Sequence, residues 1–144
     1  MKLLDANILL YAYDRSSAHH TACRVWLEST FNAEETVALP WQTLLAFVRI
    51  STNPKATRHP LSGPAACALV DSWLGLPSVA VVGPGERFWE IFRAQTSEAQ
   101  IRGPLVTDAA LAAMALENGA VLCSTDRDFR RFRGLKVFDP LQDA

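Results

Sequence analysis

The sequence lacks the marks of several large classes of protein. No apolar segment approaches the ~20 residues that a membrane-spanning helix needs, and the N-terminal apolar run covers only residues 8–13. Asp5 and Asn7 stand where a secretory signal peptide would need its apolar stretch. The three cysteines, Cys23, Cys67 and Cys123, contain no CxxC pair, so they indicate a reducing compartment rather than a disulfide framework. We therefore expect a cytoplasmic protein with no membrane span.

The sequence also lacks the motifs of common enzymes and a strong charge of either sign. There is no GxSxG, P-loop or GxGxxG motif, which leaves a serine hydrolase, an NTPase and a Rossmann dehydrogenase without support. Its 14 basic and 15 acidic residues give a formal net charge of -1. Since nucleic-acid-binding proteins usually carry excess positive charge, the total alone argues against such a partner.

What is present indicates one ordinary globular domain over residues 1–144. Hydrophobic residues make up 49% of the chain and charged residues 20%, close to globular averages. Short apolar runs predict strands at residues 2–4, 36–39, 78–82, 120–124 and 136–138. Apolar residues at helical spacing predict helices at residues 8–13 (capped by Asn7), 18–31 (capped by Ser16 or Ser17), 41–50, 63–73 (begun by Ser62), 86–98, 108–118 (capped by Thr107 and ended by Gly119) and 126–132. This alternation predicts an α/β fold with a mainly parallel sheet of four to five short strands.

Three aspartates from distant parts of the chain are expected at one edge of that sheet. Asp5 follows the first strand, Asp126 follows the fourth, and Asp108 lies in the first turn of a helix. Ligands bind outside the carboxyl ends of parallel strands, where such residues meet. Carboxylates that meet repel one another, and a hard divalent cation relieves the repulsion. Oxygen ligands favour Mg2+ or Mn2+, which suits hydrolysis of a phosphodiester.

The segments around these aspartates resemble PIN-domain ribonucleases, and in particular the VapC toxins of bacterial VapBC toxin–antitoxin modules. The matching segments are Leu3-Leu4-Asp5-Ala6-Asn7, Thr107-Asp108-Ala109 and residues 122–129, with the sequence LCSTDRDF. Residues 47–54 and 132–135 add to the resemblance, which spans essentially the whole chain. The block at residues 122–129 is the most specific of these segments.

The resemblance implies a PIN-like three-layer α/β/α domain with endoribonuclease activity. It implies Mg2+ or Mn2+ as the cofactor, a structured RNA such as tRNA as the substrate, and products with a 3′-hydroxyl and a 5′-phosphate. It also implies a VapB-type antitoxin, whose C-terminal tail covers the acidic site with an arginine, and a homodimer.

The resemblance assigns roles to individual residues. Asp5, Asp108 and Asp126 are the expected catalytic residues and metal ligands. Asn7, Thr125 and Asp128 are expected to hydrogen-bond to the ligands or to metal-bound water. Two basic sets are candidates for RNA contact: Arg127, Arg130 and Arg131 beside the acids, and Arg49, Lys55 and Arg58 on and after the helix at residues 41–50.

Two alternatives stay open, one because of a departure from the family and the other because phospho-accepting domains also cluster acids at strand ends. PIN domains usually carry a further acid on the helix after the second strand, but no acid occurs at residues 37–70, where Ala46 stands at the matching position and Gln42 is the nearest polar residue. A catalytically impaired PIN-like module that binds RNA or protein is therefore the first alternative. A phospho-accepting signalling domain is the second, although no lysine occurs between Lys55 and Lys136 to complete its usual site.

The charge balance agrees with a nucleic-acid enzyme once the clustered acids are set apart. Without Asp5, Asp108, Asp126 and Asp128, 11 of the 15 acids face 14 basic residues, so the remainder of the chain is mildly basic. A near-neutral total is thus expected to hide a concentrated acidic site.

Overall fold

The computed structural model describes residues 1–144, with a five-stranded parallel sheet at the centre. The strands lie in the order β3-β2-β1-β4-β5. They are β1 (Lys2–Leu4), β2 (Val37–Pro40), β3 (Val79–Val82), β4 (Val121–Cys123) and β5 (Val137–Phe138). The helices are α1 (Ala6–Tyr13), α2 (His20–Asn32), α3 (Trp41–Ser51), α4 (Gly63–Leu74), α5 (Phe88–Glu98) and α6 (Leu105–Glu117), followed by a short 3-10 helix (Arg127–Arg131).

Helices cover both faces of the sheet, which confirms the three-layer α/β/α prediction. Successive side chains of a strand point to opposite faces, so Leu4 packs with α1 to α4 while Leu3 packs with α6 and the 3-10 helix. Both leucines are fully buried, as expected for a strand with helices above and below it. In the register, Leu3 pairs with Ala38 of β2 on one side and Leu122 of β4 on the other.

The order in which strands are added to the sheet reverses at β1, and this reversal positions the candidate site. The chain builds outward from β1 through β2 to β3 and then crosses to β4 on the other side of β1. The carboxyl ends of β1 and β4 therefore border a topological switch point, the usual place for a ligand in an open parallel sheet. None of the helices is both long and apolar enough to cross a membrane.

One predicted helix start and one predicted helix end are correct. Ser62 caps α4, because its side chain accepts a hydrogen bond from the Ala65 N–H. Gly119 follows the last turn of α6 and prevents its continuation, because its φ of 61° is a left-handed conformation that glycine adopts without strain.

Other helix starts were predicted wrongly. Asp5, not Asn7, caps α1, since its Oδ1 accepts from the Ala6 N–H. Thr107 lies inside the first turn of α6, which begins at Leu105, and its hydroxyl donates to the Pro104 carbonyl. Neither serine caps α2, which begins at His20, and α5 begins at Phe88 rather than at residue 86.

The apolar pattern of α3 predicts that Leu44, Leu45 and Phe47 are buried, but one of the three faces solvent. Leu44 and Phe47 are buried as predicted, but Leu45 is 65% exposed. Residues 44, 47 and 51 form the buried stripe of this helix, and Leu45 lies off that stripe.

Candidate metal centre at the carboxyl edge of the sheet

Three carboxylates converge at the carboxyl edge of the sheet. Oxygen atoms of Asp108, Asp126 and Asp128 lie within 4.8 Å of one another. Asp126 caps the 3-10 helix after β4, with its Oδ1 accepting from the Asp128 N–H at 2.9 Å. Asp108 lies in the first turn of α6. Because the last turn of α6 leads into the amino end of β4, the first turn of α6 lies at the carboxyl edge of the sheet. The fold thus brings together residues that are about twenty positions apart in sequence.

Asp5 adjoins this group but is not a member of it. Its Oδ1 accepts from the Ala6 N–H at 2.7 Å, and its Oδ2 accepts from the Ser124 hydroxyl at 2.8 Å. The predicted set of ligands was Asp5, Asp108 and Asp126, whereas the three closest carboxylates include Asp128 in place of Asp5. Asp128, expected at the periphery, is the exposed member of the closest three.

Ser124 connects Asp5 to the Asp126 segment, and the sequence alone did not reveal this role. Its hydroxyl donates to Asp5 and accepts from the Asn7 side-chain amide at 3.1 Å and from the Asp126 N–H at 3.0 Å. One donor and two lone pairs are all that a hydroxyl offers, so its capacity is fully used. Ser124 is 1% exposed, which protects these bonds from water. Asn7 also accepts from the Thr125 N–H at 3.4 Å, so the two predicted accessory residues, Asn7 and Thr125, join the same network.

Burial and neighbouring carboxylates raise the pKa of two of these aspartates, Asp5 and Asp108. Burial raises the pKa of Asp5, and the hydrogen bond from Ser124 opposes this rise. Burial, followed by the charges of Asp126, Asp5 and Asp128, raises the pKa of Asp108 to about 6. Ionising the whole group therefore costs free energy that a nearby cation would offset.

The donor set fits a hard divalent cation. All the converging side chains offer carboxylate oxygens, and neither histidine nor cysteine belongs to the group. Oxygens on opposite sides of a Mg2+ ion lie about 4.2 Å apart, close to the 4.8 Å within which the three carboxylates already lie. The arrangement therefore suits an ion such as Mg2+ or Mn2+ better than zinc.

Helix α3 contributes no acid to the site. Ala46 is half-buried, and Gln42, one turn earlier, donates from Nε2 to the Thr107 carbonyl at 2.8 Å. This bond ties the start of α3 to α6 next to Asp108. Gln42 thus positions the helix that carries a carboxylate.

The two basic sets occupy different places. Arg131 forms an ion pair with Asp128 at 3.3 Å and also donates to its backbone carbonyl. Arg127 and Arg130 are exposed on the same 3-10 helix. The other set, Arg49, Lys55 and Arg58, lies at the far end of α3, which starts at the carboxyl edge and extends about 16 Å away from it over its 11 residues.

The comparisons with known proteins agree with this geometry. The sequence matches the PIN domain family over residues 2–135, and the chain belongs to that family. Within it, the chain is similar to Ribonuclease VapC37 of Mycobacterium tuberculosis, with 39% identity over 140 residues that cover 97% of each protein.

Solved structures share the fold at lower sequence identity. The structure of VapBC2 from Rickettsia felis, bound to a DNA fragment from its promoter, matches with a TM-score of 0.71 and 18% identity, over 96% of this chain and 97% of that one. VapC20 of Mycobacterium tuberculosis, a toxin that cleaves the sarcin–ricin loop, matches with a TM-score of 0.64 and 17% identity, over 94% of this chain and 99% of that one.

Proposed function

We propose that this protein is a divalent-metal-dependent endoribonuclease of the VapC type, which hydrolyses phosphodiester bonds of a structured RNA. The observation that carries the proposal is the convergence of Asp108, Asp126 and Asp128 within 4.8 Å at the switch point of the sheet, with Asp5 adjoining them. The similarity to VapC37, which is named a ribonuclease, supports RNA as the substrate.

In this proposal the chain's own residues create a rigid acidic pocket for one or more Mg2+ or Mn2+ ions. Asp5, Asp108, Asp126 and Asp128 supply the ligands, and Ser124 and Asn7 fix the position of Asp5. A bound ion supplies Lewis acidity toward a phosphoryl oxygen and toward an attacking water. Arg127 and Arg130 contact RNA phosphates beside the acids, while Arg131 neutralises part of the charge on Asp128.

A VapB-type antitoxin is the proposed protein partner. The structurally similar Rickettsia felis protein was solved as a VapBC complex, which supports such a partner here. An arginine from the antitoxin would pair with the exposed Asp128 carboxylate and its neighbours and so compete with metal.

A homodimer is also predicted. Trp41 and Leu45 on α3 are apolar side chains that are 55% and 65% exposed, and a dimer contact would bury them.

Cleavage-site mapping on total RNA tests the activity. We expect discrete cleavage that requires Mg2+ or Mn2+ and stops in EDTA. Because metal catalysis supplies several kcal/mol of transition-state stabilisation, Asp126→Asn and Asp108→Asn should each lower the rate by about 1000-fold or more. Asp71→Asn, on the exposed surface of α4, is the matched control and should cleave at the normal rate.

The same experiment separates the enzyme from the alternative of a binding module. That alternative is favoured by Ala46, which stands where the family usually has an acid. This alternative requires RNA binding without metal-dependent cleavage. It would replace the enzyme if the wild type and Asp126→Asn bind RNA equally and neither cleaves it when Mg2+ or Mn2+ is added.

A further inference from the structure

A second region of the protein has the size of a ligand site, and the proposed chemistry does not use it. A cavity of about 380 Å³ lies between the C-terminal halves of α1 and α3 and the loop at residues 52–62. Small-molecule sites usually range from about 300 to 1,000 Å³, so this cavity lies at the lower end of that range.

The walls of the cavity are mainly apolar, and three of their side chains are aromatic. Their side chains come from α1, α3 and the loop: Leu10, Tyr11, Tyr13, Phe47, Ile50 and Leu61. Flat aromatic walls suit a planar, partly apolar group such as a nucleobase.

The loop that closes the cavity is held by its own hydrogen bonds, so the cavity is preformed. The Leu61 N–H donates to the Ser51 carbonyl at 2.8 Å, which fastens the end of the loop to α3. Asn53 organises its start, accepting from the Lys55 N–H on its side chain and from the Ala56 N–H on its carbonyl.

Several basic residues line the cavity or adjoin its lining residues in the sequence. Arg15 and His59 line it, and Arg49, Lys55 and Arg58 are immediate sequence neighbours of other lining residues. All five are exposed, and none takes part in the three salt bridges of the chain. Arginine and lysine side chains near an apolar cavity are complementary to a base flanked by phosphates.

The single acid that lines the cavity offers an acceptor that a base can use. Oδ1 of Asp14 accepts from the backbone N–H and the hydroxyl of Ser16, at 3.0 and 2.6 Å. The hydroxyl bond lowers the pKa of Asp14, so the carboxylate is ionised at neutral pH. Its Oδ2 is available to accept from the exocyclic amino group of adenine, cytosine or guanine, which uracil lacks.

We infer that this cavity binds one unpaired base of the RNA substrate, with the neighbouring phosphates held by the basic residues that line or adjoin it. The inference rests on the proposed function, because it assigns a second contact to the same substrate. Leu10 and Asp14 follow Asp5 by five and nine residues, which places the cavity about 8–14 Å along α1 from the acids. That distance corresponds to roughly two to four stacked nucleotides from the cleaved bond.

Filling the cavity tests the inference without disturbing the core. Ala56 is exposed and lines the cavity, so Ala56→Trp places an indole in it, whereas Ala68→Trp on the exposed side of α4 is the matched control. Both changes are made in Asp126→Asn protein, so that RNA is bound but not cut. Fluorescence anisotropy then measures the affinity for labelled rA6, rC6 and rU6 hexamers.

We expect Ala56→Trp to weaken binding of rA6 and rC6 by about tenfold, the size of one base stack. Binding of rU6, which lacks the amino group, should fall less, and Ala68→Trp should leave all three affinities unchanged. An rA6 hexamer whose bases are all replaced by abasic sites should bind weakly and respond to neither change.

Several outcomes would overturn the inference. They are unchanged affinity in Ala56→Trp, an equal loss with the abasic hexamer, an equal loss in Ala68→Trp, or no binding of any hexamer by the parent protein. Unchanged affinity in Ala56→Trp would indicate that the cavity receives an apolar side chain of a protein partner instead. If such failure occurs while the wild type still cuts RNA, only the cavity assignment is lost; if the wild type cuts no RNA, the proposed function itself fails.

Discussion

The two ends of α1 and α3 carry opposite chemistry. At the carboxyl edge of the sheet, Asp5 and the group of Asp108, Asp126 and Asp128 collect negative charge that only Arg131 compensates. At the far end, Arg15 lines an apolar cavity and Arg49, Lys55 and Arg58 adjoin its lining residues in the sequence, and none of these four forms a salt bridge. A formal net charge of -1 is therefore the sum of two separated regions rather than a sign of a neutral surface. In our proposals, bond cleavage takes place at the acidic end and the substrate is held at the other.

Beyond the carboxylates themselves, the largest expected difference between the two ends comes from removing one buried hydroxyl. Ser124→Ala deletes the bonds to Asp5, Asn7 and the Asp126 N–H. Partners of metal ligands typically contribute 10- to 100-fold to activity or metal affinity. We expect RNA cleavage to fall by that factor and half-maximal activity to require more Mg2+, while hexamer binding at the cavity stays unchanged. Initial rates across a Mg2+ titration measure both effects.

The matched control is Ser78→Ala, which also removes a serine hydroxyl, here one that donates to the Phe31 carbonyl at 2.7 Å far from the acids. It should lower the unfolding free energy by about 1 kcal/mol and leave the Mg2+ titration unaltered. If both variants change the titration equally, the role of Ser124 is general stability and not the positioning of Asp5.

A smaller effect concerns the pH dependence of stability at the acidic end. The pKa of Asp108 is raised from 3.8 to about 6, so its protonated form stabilises the folded protein fully below about pH 3.8, and this contribution is lost as pH rises through about 6. Without metal, the wild type should lose roughly 1 kcal/mol between pH 4 and 7, a value reduced by solvent screening of the partly exposed carboxyl. Asp108→Asn should remove that loss, as measured by urea unfolding in EDTA.

The control for this prediction is Asp71→Asn, which should keep the wild-type pH dependence. Added Mg2+ should restore stability to the wild type at pH 7 more than at pH 5, because protons compete with metal for the same carboxylates. Identical pH profiles for Asp108→Asn and the wild type would show that the acids at this edge do not destabilise one another.

The features that sequence predicted well are local. Strands β1 and β3, the Ser62 cap and the Gly119 stop each follow from a few neighbouring residues. The carboxyl-edge position of the aspartates also follows, since each comes directly after a strand or at a helix start. By contrast, α3 has apolar residues on several sides, so its pattern did not distinguish buried Leu44 from exposed Leu45.

The features that sequence missed depend on three-dimensional relations. Ser124 bonds to Asp5 across 119 positions of sequence, and no local pattern marks such a pair. Asp5 and Asn7 are both good caps two residues apart, and only the backbone path shows that Asp5 takes that role. Arg49, Lys55 and Arg58 are predicted as a second RNA-contacting set, and only the direction of α3 shows that they lie at the end opposite the acids.

The smallest predicted effect sharpens the contrast through salt dependence. Arg58→Gln removes one exposed cation that stands in the sequence between Thr57 and His59, two lining residues of the cavity. Each phosphate contact contributes about one unit to the slope of log affinity against log salt. We expect rA6 binding to weaken only a few-fold at moderate salt and the slope to become shallower by about one. Arg93→Gln, exposed on α5 at the other face of the sheet, should leave the slope unchanged. If both substitutions reduce the slope equally, RNA is held by diffuse charge over the whole surface, and the far end of α1 has no privileged part in binding it.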